Sequence, residues 1–182
     1  MSVGSKTMGG AERWFVRFLH AMRAHGEPAE AVVRTGSELA RSHLAGIPFR
    51  ESPMRTVWDP WSRHQLTRLV RASGVPIVQT YMGRATRLLR LPRPGAQVHV
   101  ARLGGYYKID PFRNAHAWVG NTRGLCDWLV QQGLPADRVF HIYNFAEPAR
   151  PPEPGEVEAL RCEIGVRAED VLLLTAGRFV DV

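Results

Sequence analysis

Apolar residues fall along this chain in short clusters of two kinds. Trp14, Phe15, Phe18, Leu19 and Met22 recur at helical spacing, which predicts a helix over 11–25 with Gly26 placed to end it. Ala31-Val32-Val33 is a short unbroken run and reads as a buried strand. A short helix is expected from Ser37 to Ala45. A longer one starts at Asp59-Pro60, where Asp59 can cap and Pro60 fits the first turn, and runs through Leu66, Leu69 and Val70 to Gly74. Strands follow from Val75 to Thr80, Gln97 to Leu103 and Ala117 to Gly120, with a basic helix from Gly83 to Leu91 between the first two. Thr122 can cap a helix through Leu125, Trp128 and Leu129 to Gly133, and Val139 to Tyr143 reads as a strand. Short apolar strands alternating with helices indicate an α/β domain, a Rossmann-like parallel sheet with helices on both faces. Ligands of such sheets bind at the carboxyl ends of the strands.

After this series the composition changes. Four prolines lie between Glu147 and Gly155, which marks a linker. Glu156 to Ile164 then reads as a helix. Val171 to Thr175 reads as a fully buried strand that does not join the first sheet, and Ala176-Gly177-Arg178 follows it. The chain therefore divides into 1–146 and 147–182.

Charge adds a second asymmetry. The net charge is +7, carried by 22 arginines and only 2 lysines. From Arg34 to Arg123 there are 15 basic and 4 acidic residues, whereas from Glu147 to Asp170 there are 7 acidic and 3 basic. A basic body suits an anionic partner or simply a solvated surface. Arg84, Arg87, Arg90 and Arg93 recur every third residue among leucines, which suggests an exposed basic face, either simply solvated or set for an anionic lipid surface or a lipid-linked or phosphorylated acceptor. Zinc-finger, helix-turn-helix and RNA-binding aromatic signatures are absent, so no nucleic acid is expected. No apolar run nears the roughly 20 residues that span a bilayer. The N-terminus lacks an apolar signal core, so a cytoplasmic chain is expected, with peripheral attachment at the inner membrane left open. Cys126 and Cys162 fit no metal spacing, and no metal is expected.

Chemistry concentrates at a few points. Met8-Gly9-Gly10-Ala11-Glu12 opens the first helix, and paired glycines there either serve the turn alone or let a phosphate approach the helix's free N–H groups. Such a turn should follow a strand, yet the eight residues before it are poorly apolar. Among the histidines, His99 reads as packed within its strand, while His116 and His141 flank strands where either can face a cleft. Tyr106, Tyr107 and Lys108 follow a strand and suit either stacking on a sugar ring or packing within the loop. The chain has no Ser–His–Asp signature and no Gly-Lys-Ser/Thr phosphate loop.

Six runs in order carry a family likeness. They are Gly9-Gly10-Ala11-Glu12, Val78 to Arg84, Ala101 to Lys108, Ala117 to Thr122, His141 to Phe145, and Thr175 to Phe179. The chain resembles the N-terminal half of a bacterial family-four glycosyltransferase of the GT-B fold, of the lipopolysaccharide and cell-surface glycan type. The resemblance implies two Rossmann-like domains facing a cleft, with 1–146 the acceptor-side domain and 147–182 a linker and the first helix and strand of the donor-side domain. It implies retaining transfer from a nucleotide-sugar donor to a cell-surface glycan or glycolipid acceptor. The nucleotide sugar would be a substrate, and no cofactor is implied. By position, Gly9, Gly10 and Arg178 would meet the donor's diphosphate. Thr80, Tyr81, Arg84 and Tyr106 would lie on the acceptor side, as would Tyr107, Lys108, Asn121 and Asn144. Many relatives carry a histidine where this chain has Gly104, so the resemblance assigns no catalytic residue. The resemblance also places a central strand before the Gly-Gly turn, and that strand is expected to be missing here. On this reading the sheet is incomplete and the 182-residue chain is inactive. The competing reading is a non-catalytic module that binds an anionic ligand or a membrane surface.

Overall fold

A computed structural model describes residues 1–93, 95–146, 148–167 and 169–175. The chain forms two compact units, Met1–Asn144 and Phe145–Val182. The first is built on a seven-stranded sheet: β1 (Ser2–Val3), β2 (Ala31–Arg34), β3 (Phe49–Ser52), β4 (Ile77–Tyr81), β5 (Val98–Leu103), β6 (Ala117–Gly120) and β7 (Val139–His141). The strand order is β3-β2-β1-β4-β5-β6-β7, and every neighbouring pair is parallel. Four helices belong to this unit: α1 (Gly10–Ala24), α2 (Pro60–Ser73), α3 (Met82–Leu88) and α4 (Arg123–Gln131).

The helices start and stop where local chemistry requires. Asp59 accepts the Trp61 N–H at 3.1 Å and the Ser62 hydroxyl at 2.6 Å, and Pro60 opens α2. Gly74 closes it at φ 66°, in the left-handed region that glycine adopts without penalty. Thr122 caps α4 by accepting the Leu125 N–H at 3.2 Å. The alternation of β2 splits the core in two. Ala31 and Val33 pack with Phe15 and Leu19 of α1, while Val32 packs with Leu66 and Val70 of α2 and Leu88 of α3. A third cluster joins Ala101 and Leu103 to Leu125 and Leu129 of α4.

Several expectations are corrected. The first strand is present: Ser2 and Val3 are wholly buried and pair with β2 on one side and β4 on the other. A two-residue strand paired on both sides needs no apolar run, and Val3 alone supplies its core contact. Strand β3 was not expected, because Phe49-Arg50-Glu51-Ser52 is an edge strand with three exposed residues, and edges are commonly polar. The helix over Ser37–Ala45 is a single π-helical turn, Leu39–His43. The basic helix stops at Leu88 instead of Leu91, because Leu89 is already extended. Within it Arg84 and Arg87 are half-buried, so Arg84–Arg93 is not one exposed basic face.

In the second unit α5 (Glu156–Glu163) forms as expected. Val171–Thr175 forms no strand, and its residues are exposed, Leu173 at 90%. An apolar run becomes a strand only when another strand pairs with it, and no described residue does. Arg178 lies outside the described residues.

Two consequences of this packing can be measured. A Cβ at Gly120 would stand 2.7 Å from Cys126 Sγ. Gly120→Ala is therefore expected to cost about 1–3 kcal/mol in urea denaturation, the usual penalty of overpacking. Adding Cys126→Ala should recover part of that loss. The second consequence concerns His99, which is buried with Nε2 at 2.8 Å from Thr80 Oγ1 and its backbone N–H donating to His116 Nδ1 at 3.3 Å. Burial, helped by His116 and nearby arginines, lowers its pKa from 6.5 to about 3. The unfolded chain binds this proton first, so the stability is present above pH 6.5 and is lost as pH falls toward 3. Between pH 7 and pH 5 the loss should be about 2 kcal/mol in thermal or urea melts. His99→Gln should flatten that slope, and an unchanged slope would show that another group sets it.

Candidate functional site

The strand order reverses at β1: β2 continues on one side and β4 on the other. In a doubly wound sheet the crevice at that switch point, beyond the carboxyl ends of the strands, is the ligand site. The loop leaving β1 is residues 4–9, and it leads into α1.

This loop is held from three directions. A Cβ at Gly4 would lie 2.9 Å from Arg84 Cδ, so the stem of Arg84 passes directly over the strand end. The Arg84 guanidinium donates to the carbonyls of Met54 and Arg55 at 3.2 and 2.6 Å, and Arg34 donates to the same Arg55 carbonyl at 3.2 Å. Burial and the charge of Arg34 lower the Arg84 pKa. Further along, the Glu38 carboxylate accepts the Met8 N–H at 2.7 Å, and the Glu38 N–H donates to the Lys6 carbonyl at 2.9 Å. The buried Glu12 carboxylate accepts the Ser5 hydroxyl and lies against Gly9, where a Cβ would approach it to 2.9 Å.

The two glycines have different reasons to be there. Gly9 leaves room for Glu12. Gly10 has ordinary backbone geometry, is exposed, and would place a Cβ in open space. Glycine in a helix costs up to about 1 kcal/mol relative to alanine, and nothing among the described residues requires it at position 10. No side chain caps α1 at Gly9.

Strain marks the same edge. Met54 and Met82, which follow β3 and β4, have φ of 39° and 63°. Non-glycine residues in that region cost on the order of 1–3 kcal/mol and persist only where their surroundings hold them. Arg84 helps do so by binding the Met54 carbonyl.

The acceptor-side residues expected from the sequence separate into two groups. Thr80 and Tyr81 are interior. Thr80 bonds His99 and Thr86, while Tyr81 packs edge-on against Phe15 and accepts from Gln79 Nε2 at 2.6 Å. Arg84 is occupied as described. The others reach the surface of the carboxyl edge. Tyr106 is 66% exposed with its ring edge-on to Trp128, Tyr107 stacks by Phe112, and Lys108 is exposed. Gly104 faces Asn121, and a Cβ there would meet Asn121 Nδ2 at an ordinary 3.8 Å, so a β-carbon fits that position. His116 precedes β6 at the opposite edge and turns to His99, so it does not face the crevice. His141 packs its ring on Tyr143, 4.0 Å between centroids.

Sequence reasoning missed Arg102, the residue that joins these parts. It is 6% exposed and lies over the Trp14 ring of α1 at 3.6 Å. Its guanidinium donates to the Ile142 carbonyl at 3.3 Å and to Asn144 Oδ1 at 2.6 Å. Burial lowers its pKa, and Tyr81 opposes that shift. One side chain thus ties α1, β5 and the segment after β7. The signal was a lone arginine between Ala101 and Leu103 in an apolar strand.

Among the described residues no cluster of histidine, cysteine and carboxylate side chains could hold a metal. No described helix is long and apolar enough to cross a membrane.

Comparison with known proteins sets this crevice in context. No family model matches the chain. The lipopolysaccharide core biosynthesis glycosyltransferase LpsE of Rhizobium meliloti (strain 1021) is 26% identical over 179 residues, covering 95% of this chain and 49% of the relative. LpsD of the same organism is 25% identical over 185 residues, covering 99% and 51%. The chain spans about half the length of these relatives. Among solved structures, the apo lipopolysaccharide outer core galactosyltransferase WaaB superposes with a TM-score of 0.60 at 13% identity, over 84% of this chain and 49% of that one. Anabaena Alr3699/HepE in complex with UDP-glucose gives 0.59 at 15% identity, over 91% and 50%. The chain thus carries the Rossmann-like sheet of a GT-B N-terminal domain and is related in sequence to glycosyltransferases of lipopolysaccharide core biosynthesis, along about half of their length.

Proposed function

We propose that this chain supplies the acceptor-side half of a glycosyltransferase that moves a sugar from a nucleotide-sugar donor to a cell-surface glycan or glycolipid, with retention. The observation that carries the reading is Gly10: an exposed glycine at the first turn of α1, at the switch point of the sheet, with no packing or backbone reason among the described residues to be glycine. Close approach of a ligand to the backbone is the remaining reason, and a diphosphate is the ligand that helix N–H groups favour. The HepE structures were obtained with UDP and UDP-glucose, which supports a nucleotide-diphosphate sugar as donor. Tyr106, Tyr107 and Asn121 offer ring faces and an amide beside Gly104, groups suited to a sugar acceptor.

The chemistry explains the division of labour. The glycosidic bond to the diphosphate breaks, and negative charge grows on the departing phosphate oxygens. N–H groups at the α1 terminus stabilise that charge from one side. In the reading the resemblance implies, Arg178 also meets the diphosphate. Losing one well-placed donor typically lowers the rate about 100- to 1,000-fold. Gly10→Val is therefore expected to lower donor turnover by about that factor.

The test separates binding from turnover. Titrating the chain with UDP-glucose should move the backbone amide signals of Gly9, Gly10 and Ala11 in heteronuclear NMR spectra. Gly10→Val should abolish those shifts while leaving the melting temperature within about 2 °C, since a β-carbon there meets nothing. Shifts that persist in Gly10→Val would overturn the reading.

A further inference from the structure

We propose that a depression along α2 is a binding site for a phosphoryl group, gripped by Arg63, Arg68, Arg71 and Arg90. Its cavity volume is about 540 Å³, within the range of small-molecule sites, and Pro60, His64 and Thr67 complete its lining. The α2 residues fall at steps of three and four, so they form one stripe of the helix. The opposite stripe, Ser62, Leu66 and Val70, is buried against the sheet. Arg90 comes from the segment after α3 and is fastened beside Thr67, whose hydroxyl accepts the Arg90 backbone N–H at 3.3 Å and keeps its own hydrogen to donate.

Three observations point to a missing anion. None of the four arginines makes an ion pair among the described residues, where the ion pairs lie between residues close in sequence. Arg63 Nε is enclosed with no acceptor. An enclosed donor without a partner is uncommon and calls for one. Burial, together with the charges of Arg63 and Arg87, lowers the Arg90 pKa, so like charges crowd here uncompensated. Surface arginines ordinarily turn apart or pair with carboxylates. These are held together by the helix stripe and by the Arg90–Thr67 bond.

The ligand chemistry follows from the donors. Guanidinium forks bind tetrahedral phosphoryl oxygens bidentately, and several forks around one cavity suit a dianionic or diphosphate group better than a carboxylate. Arg87 takes no part, because its guanidinium stacks on Trp58 at 3.5 Å. The cations of the Arg84–Arg93 segment are thus divided. Arg84 and Arg87 serve the fold, while Arg90 joins α2. The phosphoryl group can come from a soluble phosphate ester or from a lipid headgroup, and the same residues would read either. This site is separate from the Gly9–Gly10 turn and does not depend on the proposed function.

The experiment uses the 182-residue chain and two pairs of substitutions with equal net charge. Arg63→Gln with Arg90→Gln empties the groove, whereas Arg17→Gln with Arg123→Gln removes two exposed charges elsewhere. Inorganic pyrophosphate should move the Nε–Hε NMR signals of Arg63 and Arg90. The groove pair should weaken binding about tenfold or more, the loss expected when charge-assisted forks are removed. The control pair should change it by less than about twofold, as expected for screened distant charges. Sedimentation with phosphatidylcholine vesicles, with and without phosphatidylglycerol, identifies the source. Groove-dependent retention on the anionic vesicles alone, without pyrophosphate binding, assigns a lipid headgroup. Groove-dependent pyrophosphate binding assigns a soluble ligand or both. Equal losses in the two pairs would show diffuse attraction and overturn the site, as would an absence of binding to both probes.

Discussion

The sheet turns on Ser2 and Val3. These two residues form the whole of β1, yet they stand between β2 and β4 and hold the two halves of the sheet in register. Val3 pairs with Val33 on one side and with Tyr81 on the other. A strand this short has no stability of its own, and its order comes from pairing on both sides and from complete burial. The position also decides where a ligand can go. Because the strand order reverses here, the connections on either side of β1 leave in opposite directions, and the loop after Val3 is left at the mouth of the resulting crevice.

Arginine performs an unusual share of the joining around that crevice. Arg84, Arg34 and Arg102 all bind carbonyl or amide oxygens, and none of the three meets a carboxylate among the described residues. A carbonyl satisfies a guanidinium's hydrogen bonds without cancelling its charge. The scaffold is thereby fastened while its positive field survives. Residues 1–144 contain 20 lysines and arginines against 9 acids, a net +11, while residues 145–182 carry 4 against 8, a net −4. The second unit disposes of its charge differently. Arg150 pairs with Glu153 and Glu156, and Arg167 pairs with Asp170, all on the surface. Exposed pairs of that kind contribute about 0–1 kcal/mol each, so their consequence is local neutrality more than stability.

What was legible in the sequence depended on how much side-chain pattern each element needs. Helices α2 and α4 were readable because an apolar stripe, a cap and a closing glycine coincide, as in Asp59, Pro60 and Gly74, and α1 was readable from its stripe and the glycine that follows it. Strands β2, β4, β5 and β6 were readable because strands inside a parallel sheet are apolar on both faces. Strand β1 has too few residues to show a pattern, and β3 lies at an edge where only Ser52 is buried. The opposite error came at Val171–Thr175, where apolar content suggested a buried strand although burial depends on a partner. Of the candidate site, the place of the Gly9–Gly10 turn at the start of α1 was legible from residue type and order. Thr80 and Tyr81 were placed correctly at a strand's end, but sequence does not tell which way such a residue faces, and both face inward. Arg102 was passed over because a buried cation is recognised by its partners, and those lie in segments 40 residues and more away.

The arginines also explain how a chain this basic keeps a compact first unit. Twenty cations against nine acids repel one another, and that repulsion opposes folding. Each arginine that reaches a carbonyl recovers part of the cost through hydrogen bonding, and each that lies over a tryptophan recovers more through the ring's electron density. Arg55 over Trp61, Arg87 over Trp58 and Arg102 over Trp14 all use this second device. Lysine would serve poorly in these places. Its ammonium cannot lie flat on an indole while donating in the plane to a carbonyl. The near absence of lysine from the chain is therefore consistent with the geometry of the fold, which asks Arg102 to stack and bond at once. The arginines of the α2 stripe lack these partners, and their charge remains uncompensated within the described unit.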